Sequence, residues 1–546
     1  MLKRLFAMLM AVIMVLGLAA CSGPSKKPVG TYDSNLQPGD PESWLTHEKV
    51  TLTVLTNEGS STENPPASND LPFWKWLEEY TNVHIEWEVA STVGYSEVVS
   101  TRLSAGVDLP DIMMINTLSN GEKAGDNGVL VNLADYWDTY FTNTNAYWDA
   151  QGVDFKSHIS TGDGAIYALV GMAEPVEGHI TLMYNTDWLN KLGEDVPTTL
   201  DEFTDLLKKM KAAGDLNGNG LNDEVIFTAD TLNGLMSGFG PTFGMEQYEA
   251  WDAFVADKNG VVSSEYTSDN QKAYLKYLNQ LYSAGILDKE ICSMNASTLA
   301  EKIASDRVGV FCYYSSFAVS YGQLTPRAQK SGDAFGEYFT LGVALDSKYN
   351  NNDGYYIRRE RAVGAPTAIT SECKNVELAC RWLDTLYADP NVVNVRVYGI
   401  QGEDWEYEDG KVKVLYPADG SPRDISVKGC GQIPLCHFQT KEQIIGGMEQ
   451  YPWYLEQYER IRNECSWKSP SVVHLQLFKD REKEIMSMYN VDVKGVYGEY
   501  RAKFITGQIG VEAGWNTYLA DMKKMGIDEL VRAWQMVHDR TKGSSD

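Results

Sequence analysis

Five oxygen-bearing side chains stand at ligand spacing in the stretch 215–224: Asp215, Asn217, Asn219, Asp223 and Glu224. A hard cation such as Ca2+ takes six to eight oxygens at roughly 2.4 Å, and a short loop wraps one ion when oxygen side chains alternate and a glycine permits a sharp turn. Asp215, Asn217 and Asn219 fill the first, third and fifth positions of such a loop, Gly220 fills the sixth, and Leu221 offers its backbone carbonyl. The pattern then leaves the EF-hand form, because the twelfth position is Ile226 rather than Glu. The expected cofactor is one structural Ca2+ in a helix–loop–strand setting. A polar Asn/Gly turn without metal is the alternative.

A second chemistry is carried by rings. The chain has 14 Trp and 31 Tyr. Flat aromatic faces pack on the apolar faces of pyranose rings while nearby polar groups bond the hydroxyls. Tyr313, Tyr314, Trp405 and Trp453 are candidate platforms, Trp405 because it follows the turn 399–402. Arg359 and Arg361 stand in a polar loop where a guanidinium pair would clamp a sugar carboxylate. Asn57 and Glu58 end the first strand, a usual ligand position in open α/β sheets. Core packing is the commoner role for any one Trp or Tyr, and a solvated surface accounts equally well for the two arginines. Trp74, Trp76, Trp188, Trp382 and Trp534 fall in helical patterns and read as core. A glycosidase would need two carboxylates about 5–10 Å apart, which sequence alone neither supplies nor excludes. No Gly-x-Ser-x-Gly, His-Glu-x-x-His, Walker A or complete Gly-x-Gly-x-x-Gly pattern occurs.

The elements that must position these groups alternate. Strands are expected at 50–55, 83–89, the residues up to Met114, 180–184, 225–228 and 308–313, with a turn plus strand at 162–169. Helices are expected at 72–77, 95–103, 271–284, 300–304 and 376–387, with mostly helical segments at 440–505 and 515–540. Thr199-x-x-Glu202 has the form of a capping box, and Leu200, Phe203, Leu206, Leu207 and Met210 then recur at helical spacing up to Gly214. Residues 233–244 read as a Gly-rich loop. Strand–helix alternation argues for α/β architecture with a mainly parallel sheet.

Residues 1–20 form a leader: Lys3 and Arg4, an apolar run, then Leu18-Ala19-Ala20-Cys21. The run is short for a spanning helix. Residues 21–48 read as Cys21 followed by a flexible tether rich in Gly, Pro and Ser. The net charge of −28 argues against nucleic acid and anionic membrane as partners of the overall field. Beyond Cys21 stand seven cysteines, an odd number, so a full intrachain disulfide framework is excluded. Cys430 and Cys436 could close a small loop, or all seven could be free thiols.

The chain resembles the extracellular solute-binding lipoproteins of ABC importers, in the long subgroup that takes oligosaccharides. The matching residues are Leu18-Ala19-Ala20-Cys21, the stretch 106–112, Asp163-Gly164-x-Ile166-Tyr167-Ala168 and Leu278-x-x-Leu281-Tyr282-x-x-Gly285, with Tyr398-Gly399-Ile400-x-Gly402 and Trp515-x-x-Tyr518. Asn185-x-Asp187-Trp188-Leu189-x-Lys191-Leu192-Gly193 with Pro197-x-Thr199-x-Asp201-Glu202 is the most specific part. The resemblance implies a two-lobe periplasmic-binding-protein-like (type II) α/β fold. Residues 49–175 and about 341–395 would form the N-terminal lobe, and about 176–340 and 396–546 the C-terminal lobe. Crossing strands would join the lobes around a ligand cleft. It also implies diacylation of Cys21, anchorage at the outer face of the bacterial cytoplasmic membrane, and an oligosaccharide ligand. A separate permease and ATPase, a monomeric state and no enzymatic activity complete the picture. It is similar to alginate- and pectin-fragment binders in the 215–224 calcium loop. The rival reading is a secreted carbohydrate-active enzyme, glycosidase or lyase.

Overall fold

The computed structural model describes residues 32–542 apart from 34–35, 60–65, 162, 174–176, 179, 248–252, 359–362, 409–410, 419–422, 432, 440–449 and 473–477. Cys21, Arg359 and Arg361 lie outside the described residues, as does the leader.

The strands β1 (Val50–Asn57), β2 (Val83–Ala90), β3 (Ile112–Met114) and β4 (Leu169–Ala173) come first. β5 (Ile180–Asn185), β6 (Val225–Ala229), the hairpin β7–β8 (Phe254–Ala256, Val262–Ser264), β9 (Val308–Tyr314), β10 (Phe339–Leu341) and β11 (Tyr355–Ile357) follow. β12 (Val363–Ile369), the hairpin β13–β14 (Trp405–Glu408, Lys411–Val414), β15 (Phe438–Gln439) and β16 (Ser466–Lys468) complete the series. Two sheets result, one ordered β15-β4-β12-β3-β1-β2 and one ordered β10-β5-β9-β6.

Each sheet has its own core, so the chain forms two lobes. Around the first sheet, Trp137, Trp148, Trp382 and Tyr387 pack on one face, and Tyr95, Val99 and Met113 on the other. The second sheet and the C-terminal helices share a separate cluster that includes Trp188, Phe203, Phe311 and Trp515. The chain passes between lobes after β4, after β11 and after β15. Two expected boundaries move. Residues 341–357 belong with the second lobe, because β10 pairs with β5 and Leu345 is in that core. Residues 396–439 belong with the first, because β15 pairs with β4 and Cys430, Leu435 and Cys436 are buried there. β10 and β15 are three and two residues long, too short to leave a readable period in sequence. Arg396 is fully buried, its guanidinium donating to the carbonyls of Phe438 and Tyr387, which ties β15 to the helix Pro390–Tyr398.

The sheets are mixed rather than mainly parallel. β1 runs parallel to β2 and β3, while β12 runs antiparallel to β3 and β4. In the second sheet β5 is antiparallel to both β9 and β10. Strands that arrive from the other lobe enter against the local direction, which the strand–helix alternation does not reveal.

Residues 233–244 are not a loop. They form the helix Leu232–Phe239 and the 3-10 turn Gly240–Phe243. Gly238 is there for close approach: a Cβ would meet Cys312 Cβ of β9 at 3.0 Å. The tether expectation also changes. From Tyr32 onward the described part of 32–48 is fastened to the first lobe. Asn391 receives the Asp33 N–H and donates to the Asp33 and Leu36 carbonyls. Ser43 Oγ donates to the Tyr80 carbonyl, and Leu45 N to that of Thr81. All seven cysteines beyond Cys21 are free thiols. Among the described residues no helix is long and apolar enough to cross a membrane.

Candidate functional site

In the first lobe, β1 and β3 end at the edge where β4 leaves for the second lobe and β12 returns. That edge holds a depression of about 420 Å3, lined by Asn57, Gly59, Pro66, Met114, Ala365, Ile433 and Pro434. Asn57 therefore stands where strand order places it. Glu58 is beside it but engaged: its Oε1 accepts from Ser91 Oγ and Thr92 N, at 3.1 and 3.2 Å. Ala365 sits at φ +43°, inside a register shift of β12. A left-handed conformation costs a residue with a Cβ roughly 1–2 kcal/mol, so the wall of the depression is locally strained.

In the second lobe, β9 lies between β5 and β6 and is buried along most of its length. Only its carboxyl end emerges. There Tyr314 pairs in register with Ile180, the first residue of β5 after the crossing from β4. Tyr314 also packs against Ile180, Tyr355 and Ile357, a small apolar cluster where the chain changes lobes. Tyr313 and Tyr314 are half-buried with ring centroids 4.8 Å apart. Phe317, also half-buried, closes the group at 4.7 Å from Tyr313 and 6.2 Å from Tyr314. Tyr321 stacks on Tyr313 at 5.6 Å and 2°. Burial holds the Tyr321 hydroxyl well above the ordinary tyrosine range, so it stays a neutral donor. The result is an aromatic shelf at the inter-lobe edge. Tyr313 and Tyr314 are candidates the sequence offers, and the end of β9 carries both. Phe317 was missed, although its offset of three from Tyr314 on a following helix is a usable signal.

Trp405 is a correction. It is 1 % exposed, its indole N–H donates to the Gly399 carbonyl at 2.8 Å, and its ring packs on Tyr32 and Tyr398. A ring buried in this way offers no face to a sugar. Trp453 is half-buried, with its N–H taken by the Phe335 carbonyl. It reaches the shelf only indirectly, through Tyr454, whose hydroxyl is 3.0 Å from Ser315 Oγ. The described residues bring Tyr313, Tyr314 and Phe317 together on one lobe and place Asn57 and Glu58 at the end of β1 on the other.

The 215–224 loop follows the capped helix Leu200–Ala213, whose capping box of Thr199 and Glu202 is present as read. Asp215 organises the turn: Oδ1 accepts from Asn219 N and Oδ2 from Gly220 N, both at 2.9 Å. Gly220 adopts φ +85°, which the turn requires. Glu224 Oε1 accepts from Leu216 N at 2.8 Å. Asp223 Oδ1 meets the side-chain amides of Asn219 and Asn217 at 3.0 and 3.4 Å. Arg307 Nε lies 3.0 Å from Asp223 Oδ2. Among the described residues no group of three or more His, Cys, Asp or Glu converges as a metal cluster. The donor set is instead two Asp, two Asn, one Glu and the Leu221 carbonyl. An oxygen accepting one N–H keeps a second lone pair for a cation, and the two amides can turn their oxygens inward. The residues fit a hard cation.

Residues 57–393 match the family described as bacterial extracellular solute-binding protein. Over 559 aligned residues, 97 % of this chain and 96 % of the relative, the chain is 24 % identical to the fructooligosaccharide ABC transporter substrate-binding protein FusA of Streptococcus pneumoniae serotype 4. It is 20 % identical to lipoprotein LipO of Bacillus subtilis, with 90 % of this chain and 92 % of LipO covered. The crystal structure of the alginate-binding protein AlgQ2 without calcium ion superposes with TM-score 0.71 at 19 % identity, covering 91 % of this chain and 99 % of that one. FusA in complex with kestose gives TM-score 0.71 at 21 % identity over 90 % of this chain and all of FusA, and FusA has also been solved as an EF-hand mutant.

Proposed function

This chain belongs to the bacterial extracellular solute-binding protein family, and from that premise we propose that it captures an oligosaccharide outside the cell and delivers it to the permease of an ABC importer. The fold is the two-lobe, periplasmic-binding-protein-like α/β fold, and the protein binds solute rather than transforming it. That sets aside the carbohydrate-active enzyme.

The observation that carries the saccharide is the shelf of Tyr313, Tyr314 and Phe317 at the inter-lobe edge. Half-exposed rings beside a polar edge suit a sugar, whose ring faces are apolar and whose rim is hydroxylated. Asn57 on the facing lobe supplies an amide for those hydroxyls. FusA, a relative aligned over nearly the whole chain, binds a fructooligosaccharide, which supports the same class here. Arg359 and Arg361 lie outside the described residues and remain part of the proposal for an acidic sugar.

Asp215, Asn217, Asn219, Leu221, Asp223 and Glu224 hold a structural Ca2+ in this reading. The spacing of the oxygens along the loop supports it, as do similar structures described as without calcium ion and as an EF-hand mutant. Cys21 carries the lipid and keeps the monomer at the outer face of the cytoplasmic membrane, a reading supported by the leader and by the lipoprotein relative.

A thermal-shift screen of the 22–546 fragment against neutral and acidic oligosaccharides tests the ligand class. One glycan class should raise Tm, since a ligand binding only the folded state stabilises it by mass action. Folded protein that responds to no glycan but does respond to peptides would overturn the saccharide reading.

A further inference from the structure

The helix Leu118–Asp126 follows the carboxyl end of β3, so it starts at the inter-lobe edge of the first lobe. One turn in, Glu122 ion-pairs with Lys483 Nζ of the helix Asp480–Thr506, which belongs to the second lobe. The pair is partly sheltered, with side chains 16 % and 31 % exposed for Glu122 and Lys483. Lys483 also acts electrostatically on Asp163, again in the first lobe. The lysine thus faces two carboxylates of the first lobe, Glu122 and Asp163, rather than one, and both also act on Tyr167.

Lys483 is also held firmly in place. The neighbouring Glu482 is buried, caps the start of its helix by accepting from Lys479 N at 2.7 Å, and pairs with Arg540 of the helix Ile527–Lys542 at 2.5 Å. The first turn of the Lys483 helix is thereby fixed to the C-terminal end of the second lobe. A lysine on a rigid turn, presented to two carboxylates on the other lobe, can meet them only when the lobes are together.

We propose that Glu122 and Lys483 form a latch across the rim of the cleft, a positioning pair that favours the closed arrangement of the lobes and so sets how readily solute is retained. The pair touches no ligand. Its effect is on the fraction of molecules in the closed state, and apparent affinity scales with that fraction. The proposal rests on the solute-binding reading, but it is tested without ligand, so its failure leaves that reading standing.

The experiment is small-angle scattering on the unliganded 22–546 fragment. A compact chain of this length has a radius of gyration of about 24 Å, and opening should add on the order of 1 Å to that. Lys483→Met should give the larger radius. Glu122→Gln should give a smaller change, because Asp163 still attracts the lysine. The exchange Glu122→Lys with Lys483→Glu should return at least halfway, which a purely structural role would not produce. Raising NaCl toward 1 M in the wild type should mimic Lys483→Met, since the screening length falls to about 3 Å. This arm needs no variant to fold. A wild-type radius unchanged by salt, equal radii for wild type and Lys483→Met, or an exchange variant as open as Lys483→Met would each overturn the latch.

Discussion

Asp215 has two separable roles. Its carboxylate oxygens receive the Asn219 and Gly220 N–H groups, which shape the turn, and its charge would neutralise part of a cation. Asp215→Asn removes the charge and keeps one acceptor, but its NH2 group cannot accept the second turn N–H, so the metal effect is read from the response to Ca2+ rather than from Tm alone. Calcium at a hundredfold excess over Kd stabilises by roughly 2.7 kcal/mol, and EDTA should lower the wild-type Tm by several degrees. Asp215→Asn should melt somewhat below the wild type in EDTA, for the turn hydrogen bond it loses, and gain little when Ca2+ is restored. A wild-type Tm indifferent to EDTA would leave a plain turn. Asp223 is a poorer choice, because its removal also breaks the ion pair with Arg307. The two aromatic sites divide in the same way. Tyr314→Ala and Phe317→Ala should each weaken saccharide binding by about 1–2 kcal/mol, roughly 5- to 30-fold in Kd, with the fold intact. Trp405→Ala should instead destabilise the first lobe by about 3–5 kcal/mol. Denaturation midpoints and titration calorimetry separate the cases. Tyr313 and Tyr314 close β9, at the end of a strand that the sequence shows at 308–313. Sequence misplaced Trp405 because one of the rings that cover it, Tyr32, comes from the far end of the chain, and local spacing carries no trace of that contact.

At the scale of elements, Glu265 stands out. It opens the 3-10 turn Glu265–Thr267, is buried, and accepts from Glu246 N at 2.6 Å, while its Oε2 has no partner among the described residues. Burial pushes its carboxyl from 4.5 up to about 8, outweighing the Glu246 N–H that pulls it down. Between those values the folded protein keeps a proton that the unfolded chain has released. Stability from this group is full below about 4.5 and falls as pH rises toward 8, by up to about 1.4 kcal/mol per pH unit. Glu265→Gln should flatten that decline, so that its urea midpoint gains on the wild type between pH 5 and pH 8. Parallel curves would show that the carboxyl ionises as freely folded as unfolded. Such a group is invisible in sequence, where Glu265 is one acid among 75 acidic residues. The helices with caps and apolar stripes were legible, Thr199–Glu202 above all. The helix Leu232–Phe239 was not, because glycine was read as a breaker where it serves contact with β9.

At the scale of the whole molecule, two lobes with crossing strands were readable, but the points of crossing depended on strands of two or three residues. The fastening of residues 32–45 was likewise hidden, since its partners are Asn391, Tyr80 and Thr81. Asn391→Ala removes three hydrogen bonds from Asp33 and Leu36. Chymotrypsin should then cut after Tyr32, Leu36 or Trp44 much faster than in the wild type, while the rest of the chain resists. Equal cutting rates would mean that the segment is held by other contacts. The docked segment also shortens the leash. With the lipid proposed on Cys21, only residues 22–31 are left to bridge the gap, and even fully extended they reach about 35 Å. The first lobe would ride within a few nanometres of the bilayer, searching for its permease in two dimensions rather than three. A loaded molecule would then stay beside the membrane, and the short tether would raise its effective concentration at the importer.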